Sequence, residues 1–194
     1  PVWVRTSPLP AADGSFTGAV ETFTDISSRQ ALAQQVEDLK KLALIDPLTG
    51  LPNRRHLETQ LHARLEELRR SGAGFGLLFI DIDHFKQVND RHGHDVGDQV
   101  LTTIANTMSL SVRPFDLVCR WGGEEFAGIF PHTTGAALRG LAERLRVLVA
   151  HSRVDTGTEV LAATVSIGGS VAEIKDSAAS LVKRADALMY ASKE

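Results

Sequence analysis

Between residues 54 and 194 the apolar positions recur with two alternating periods, one helical and one extended. Leu57, Leu61, Leu65 and Leu68 keep to one side of a predicted helix. "FGLLFIDID" (75–83) is a continuous apolar run closed by two aspartates, the pattern of a central strand buried on both faces. A short helix is predicted around Phe85 to Arg91, ahead of a loop with Gly93 and Gly97, and Val100, Leu101, Ile104 and Met108 mark another. "DLVCRW" and "EFAGIF" read as strands joined at Gly122-Gly123. Leu138, Leu141, Leu145 and Leu148 predict a further helix, "ATVSIGGSV" a strand, and Ala178 to Lys193 a last helix. Helix, strand, two helices, hairpin, helix, strand, helix is the order of an α+β domain, with a mainly antiparallel sheet carrying packed helices.

Upstream the pattern is thinner. Residues 1–26 read as two short strands around the turn Ala12-Asp13-Gly14-Ser15, with Val20 to Ile26 β-prone. Two strands alone are not stable, so this stretch reads as the tail of another domain. Residues 27–45 place Leu32, Val36, Leu39 and Ala43 at helical spacing on an otherwise polar segment. That narrow stripe suits a coiled-coil linker or a helix lying against a neighbour.

Composition narrows the class. With 194 residues and 43% hydrophobic content, one well-buried core is possible. The net charge of -3 offers no basic surface for nucleic acid, and no apolar run reaches the length of a membrane helix. No signal peptide is visible and the one cysteine, Cys119, excludes an internal disulfide, which suits the cytoplasm. Cys119 falls in a predicted strand, where an inert buried thiol is expected. The chain starts without methionine and stops inside a helical pattern, so it is expected to be a piece of a longer protein.

Candidate chemistry gathers where strands end in acid: Asp81 and Asp83 after "LLFI", and Glu124 and Glu125 after two glycines. If the hairpin lies beside the central strand, these carboxylates meet at one sheet edge. They would repel unless a divalent cation neutralised them, and oxygen donors select Mg²⁺ or Mn²⁺. Gly122 and Gly123 would permit positive φ and a close approach of phosphate to the backbone. A solvated hairpin tip with surface acids is the alternative. Other nucleotide and metal motifs fail on spacing. "DIDHFKQVND" lacks the glycine and terminal glutamate of an EF-hand loop, and no Gly-Lys pair makes a phosphate loop. "GAGFG" (72–76) precedes a strand rather than following one. His92 and His94 have no further histidine or cysteine to complete a metal site and suit loop roles.

Four motifs carry a family resemblance: "DPLTGLPNRR" (46–55), "DIDHFKQVNDRHGHDVGDQVL" (81–101), "RWGGEEF" (120–126), and "VSIGGS" with "ADALMYASK" (185–193). In order and spacing they resemble the GGDEF family of diguanylate cyclases across residues 46–194, with glutamate at 124 as in its GGEEF variant. Residues 1–26 resemble the final strands of a PAS sensor domain, chiefly through "FTDISSRQ". The first resemblance implies a palm-like sheet of the nucleotidyl-cyclase type that joins two GTP, one per subunit of a homodimer, into cyclic di-GMP. It implies Asp81, Glu124 and the Ile82 carbonyl as ligands of Mg²⁺ or Mn²⁺, two ions per active site, with Glu125 assisting deprotonation or completing the shell of the second ion. Backbone groups of His84 and Phe85, with Lys86 and Lys193, would hold phosphates beside Gly122 and Gly123. Asn89 and Asp98 would read guanine; a surface amide and a helix cap are their plainer roles.

The same resemblance makes Arg113 and Asp116 of "RPFD", with Arg144, an inhibitory site for the product; a loop salt bridge between Arg113 and Asp116 is the alternative. A family arginine usually follows Lys193, and a final strand after it; the chain ends before both. A catalytically silent module that binds GTP or cyclic di-GMP as a receptor is the rival function. No nucleic-acid or membrane partner is expected.

Overall fold

The computed structural model describes residues 2–25, 27, 31, 43–157 and 159–193. The chain divides into two units, Pro1–Ala43 and Leu44–Glu194. In the first, β1 (Val2–Pro10) and β2 (Phe16–Asp25) form an antiparallel hairpin. Its turn closes at the predicted place: Gly14 has φ 83°, and Asp13 accepts from the Ser15 amide and hydroxyl. Of the predicted linker stripe, Leu32, Val36 and Leu39 lie outside the described residues.

The second unit opens on a loop organised by one carboxylate. Asp46 Oδ1 accepts from the Thr49 amide (2.9 Å) and hydroxyl (2.7 Å), while the Asp46 amide donates to Leu51 O. Asn53 then caps α1 (Arg54–Ser71) by accepting from the His56 amide, and Gly72 ends it at φ 75°. β3 (Phe75–Ile82) follows, buried at every position.

After β3 come α2 (Phe85–His92), α3 (His94–Leu110), β4 (Leu117–Gly122), β5 (Glu125–Pro131) and α4 (Gly135–His151). A small hairpin, β6 (Val154–Asp155) and β7 (Val160–Leu161), leads to β8 (Val165–Val171) and α5 (Ala178–Ala191). The main sheet runs β4-β5-β3-β8 with every neighbour antiparallel. The predicted α+β architecture is the observed one.

Side-chain alternation splits the core into two layers. Phe75, Leu77 and Phe79 pack with the four α1 leucines and with Leu181, Ala185 and Met189 of α5. Leu78, Ile80 and Ile82 pack on the opposite face with α3 and with Leu138, Leu145 and Val149 of α4. Cys119 is buried, and burial pushes its thiol up to about 12, as expected of an inert thiol.

Three details depart from the pattern. In α4, Val149 takes the buried place expected of Leu148, which is 39% exposed. At 3.6 residues per turn Val149 falls about 20° from the Leu138 direction and Leu148 about 80°. The last helix stops at Ala191, so Lys193 sits just beyond it. The β6–β7 hairpin was not predicted, because strands of two residues leave no period to detect. No helix among the described residues is long and apolar enough to cross a membrane.

Candidate active site at the carboxylate edge

The site begins with register. β3 places Asp81 opposite Glu125 of β5 on one side and Ser166 of β8 on the other. Period-two alternation puts Asp81 on the same face as Leu77 and Phe79, the face that α5 covers. Asp81 is buried, at 8% exposure, and the Lys193 ammonium donates to its Oδ1 at 2.7 Å.

The position of Lys193 follows from how α5 is seated. Gly168 of β8 lets the helix backbone touch the strand: a Cβ there would run into Met189 N and Ala185 O. From the middle of α5, Arg184 binds Asp176, which lies ahead of the helix, through two nitrogens and donates to Ser170 Oγ and Val171 O. Hydrogen bonding from Arg184 holds the Asp176 carboxyl well below the usual range, against the opposing effect of burial. Ser177 and Ser180 add a reciprocal cap to the first turn.

Electrostatics at this edge are unbalanced. Burial raises the Glu125 carboxyl above its ordinary range, the charges of Asp81, Asp186 and Glu124 raise it further, and Lys193 opposes them. For Lys193, burial lowers the ammonium, but the Asp81 hydrogen bond and the charges of Asp81, Asp83 and Glu124 outweigh it, and the net shift is upward. Like carboxylates directly opposite across strands repel, so this edge is short of positive charge.

The glycine turn is built from below. Gly123 has φ 55°, and the β4–β5 pairing slips between Arg120 and Gly122. Arg120 Nε and Nη2 donate to Gly123 O at 3.0 and 2.9 Å, and its Nη1 reaches both Asp46 oxygens at 3.3 Å. Arg120 therefore ties the glycine turn to the loop that opens this unit. On the other side of the turn, Glu124 O accepts from the Ile82 amide at 3.3 Å. Neither Arg120 nor Asp46 was identified from sequence as part of a site. The available signal was an arginine two residues upstream of the glycine pair.

The second predicted acid takes a different place. Asp83 accepts from Thr164 Oγ1 at 2.6 Å and Ser166 Oγ at 2.7 Å, clasping the end of β3 to β8. The edge thus groups Asp81 with Glu125 and gives Asp83 to neighbouring hydroxyls. His84 follows in the left-handed region (φ 57°) as the residue before α2, with Phe85 buried and Lys86 exposed. Asn89 packs against Gly97 so closely that a Cβ there would collide with Asn89 Oδ1. Asp98 lies inside α3 rather than at its cap, where Gly93 stands. With Leu48, Thr102, Arg153 and Asp155 it lines a cleft of about 450 Å³.

Arg113, Asp116 and Arg144 come together in a separate cleft of about 290 Å³. Asp116 Oδ2 accepts from the Arg113 amide at 2.9 Å, and the Asp116 amide donates to Arg113 O. Among the described residues, the Arg113 guanidinium makes no ion pair with Asp116; it stands 5.8 Å from the Phe115 ring centre. Arg144 Nη2 donates to Ser111 O at 2.8 Å.

A four-stranded antiparallel sheet with a carboxylate edge beside a glycine turn defines the class of protein. Residues 43–194 match the family described as "Diguanylate cyclase, GGDEF domain", and the chain belongs to that family. Response regulator PleD of Caulobacter vibrioides is 42% identical over 165 residues, 84% of this chain and 36% of that protein. Diguanylate cyclase DgcM of Escherichia coli is 37% identical over 169 residues, 87% of this chain and 40% of that protein. The chain thus spans well under half the length of these curated relatives. Among solved structures, the coiled coil and GGDEF domain of DgcB from Caulobacter crescentus, in complex with c-di-GMP, has TM-score 0.82 at 33% identity, covering 86% of this chain and 89% of that one.

Proposed function

We propose that this protein condenses two GTP into cyclic di-GMP, releasing two pyrophosphates. The observation that carries the reading is the in-register pair Asp81–Glu125 beside the Gly122-Gly123 turn, with Lys193 reaching the same edge. Support also comes from the curated relatives that are named diguanylate cyclases.

The donors suit a hard divalent cation. Asp81, Glu124 and the Ile82 carbonyl offer only oxygen, and the surplus of negative charge at Glu125 favours a cation over further protein ligands. Among the described residues no group of three or more His, Cys, Asp or Glu side chains is placed to hold a metal ion by itself. The ion would therefore lean on two carboxylates, one backbone oxygen and the substrate. When bound, Mg²⁺ or Mn²⁺, two per site, would offset charge on the α-phosphate and favour ionisation of the attacking 3′-hydroxyl.

The chain's own groups would do the rest. The glycine turn would admit the triphosphate, and the amides at His84 and Phe85 with Lys86 would hold it. Lys193 would exchange its bond to Asp81 for a phosphate oxygen as the cation takes that carboxylate. Glu125, held above the usual carboxylate range, is suited to receive the hydroxyl proton. Asn89 and Asp98 would read the guanine edge through its N1 and N2 donors. Two half-sites must face each other, so the active species would be a homodimer. Residues 1–26, as the end of a PAS-like domain, and 27–45, as a helical linker, would set that geometry for the cyclase domain 46–194. Cyclic di-GMP would inhibit by binding Arg113, Asp116 and Arg144.

Incubation with GTP and Mg²⁺ followed by chromatography of the products tests the reading directly. Cyclic di-GMP and pyrophosphate are the expected products. GTP bound without turnover would make the chain a receptor instead.

A further inference from the structure

The cleft of Arg113, Asp116 and Arg144 has a further wall at His132, whose backbone conformation is unusual. β5 ends at Pro131, and the His132 amide donates to Gly74 O at 2.8 Å. One residue past Thr133, Thr134 caps α4 by accepting from the Ala137 amide. Held between a strand end and a helix cap, His132 takes φ 52°, in the left-handed region that L-residues seldom occupy. Backbone of this kind persists where the surroundings over-determine it, and it sets the direction in which Cβ leaves the chain. His132 is exposed and lines the same cleft as the two arginines.

We propose that His132 is a ligand-contacting residue of this cleft and donates from an imidazole N–H to a phosphodiester oxygen of cyclic di-GMP. The inference rests on the product-binding role proposed above for the same cleft. The charges that line it are Arg113 and Asp116 from the α3–β4 loop and Arg144 from α4, while residues 72–74, which hold the His132 amide, carry none. Asp116 already spends Oδ2 on the Arg113 amide, and Arg144 spends Nη2 on Ser111 O. A ligand with two phosphates and two guanines presents more acceptors than those two arginines have donors left. An imidazole N–H at the mouth supplies one more.

The test is calorimetric titration of the whole chain with cyclic di-GMP, beside thermal melts of the same samples. His132→Asn tolerates the left-handed backbone and keeps the turn; His132→Gly relieves it altogether. Both variants are expected to bind about 5- to 10-fold more weakly than wild type. Melting temperatures should stay at or near wild type. Equal affinity in wild type and both variants overturns the proposal, and so does a loss of affinity matched by a fall in melting temperature. Arg113→Ala separates the two layers of the argument. Unchanged affinity in that variant removes the product-binding reading of the cleft; a loss there, with both His132 variants unaffected, removes only the role of His132.

Discussion

Lys193 and Asp81 stand 112 positions apart in sequence, yet the ammonium lies 2.7 Å from the carboxylate. The contact depends on the seating of α5 against Gly168 and on the strand register that brings Asp81 to the sheet edge. It places one cation among several acids and leaves Glu125 under-compensated.

Asp81→Asn and Glu124→Gln are each expected to lower cyclic di-GMP synthesis by about 100-fold or more, because a metal site loses charge and geometry together. Initial rates at saturating GTP and Mg²⁺ measure this. Undiminished synthesis by either variant would remove the assignment of that residue.

Glu125 predicts a stability effect with a definite sign. Its folded carboxyl holds the proton to higher pH than the unfolded chain does, so stability is lost as pH rises through the raised value. Without divalent cation, Glu125→Gln should melt above wild type at neutral pH. The gap should close as pH falls below the ordinary glutamate range, where both side chains are neutral. Thermal melts at two pH values in chelator provide the check, and a variant less stable at neutral pH would contradict the cause assigned here.

Arg120→Ala should cost about 1–3 kcal/mol, since it strips Asp46 of a partner and frees the Gly123 carbonyl. Turnover should fall about tenfold as the turn loosens. Arg120→Lys should restore little of either, because an ammonium cannot span Asp46 and Gly123 as the planar fork does. Denaturant melts and steady-state rates on the same samples read both effects.

Two glycines should respond oppositely to alanine. At Gly168 a Cβ meets helix backbone, which cannot yield, so Gly168→Ala should lose at least about 2 kcal/mol. At Gly140, inside α4, a Cβ meets nothing within 4 Å, so Gly140→Ala should gain about 0.5–1 kcal/mol. Chemical denaturation distinguishes the signs.

Arg113→Ala should weaken inhibition by cyclic di-GMP about 10-fold, given the strength of a charge-assisted hydrogen bond. In wild type, excess GTP should not overcome the inhibition, because the cleft is separate from the carboxylate edge. Initial rates against added cyclic di-GMP at two GTP concentrations test both statements. Purely competitive inhibition that persists in the variant would refute them.

Local pattern determined much of this molecule. The leucines at 57, 61, 65 and 68, the unbroken run 75–80 and the paired strands around Gly122-Gly123 each report burial through a period, and burial is what the period encodes. The four family motifs likewise brought Asp81, Glu124 and Glu125 into view before any fold was known. Tertiary structure decided which acids share a site. Asp81 and Asp83 look equivalent in sequence, but strand register sets one beside Glu125, and the other turns to Thr164 and Ser166 where β3 has ended. It also decided that Arg120 and Asp46 meet across 74 positions, and that His132 takes a left-handed backbone where its amide bonds Gly74 O. Such contacts leave no period in the chain. They arise from how sheet register and helix seating close distances that sequence spacing does not encode.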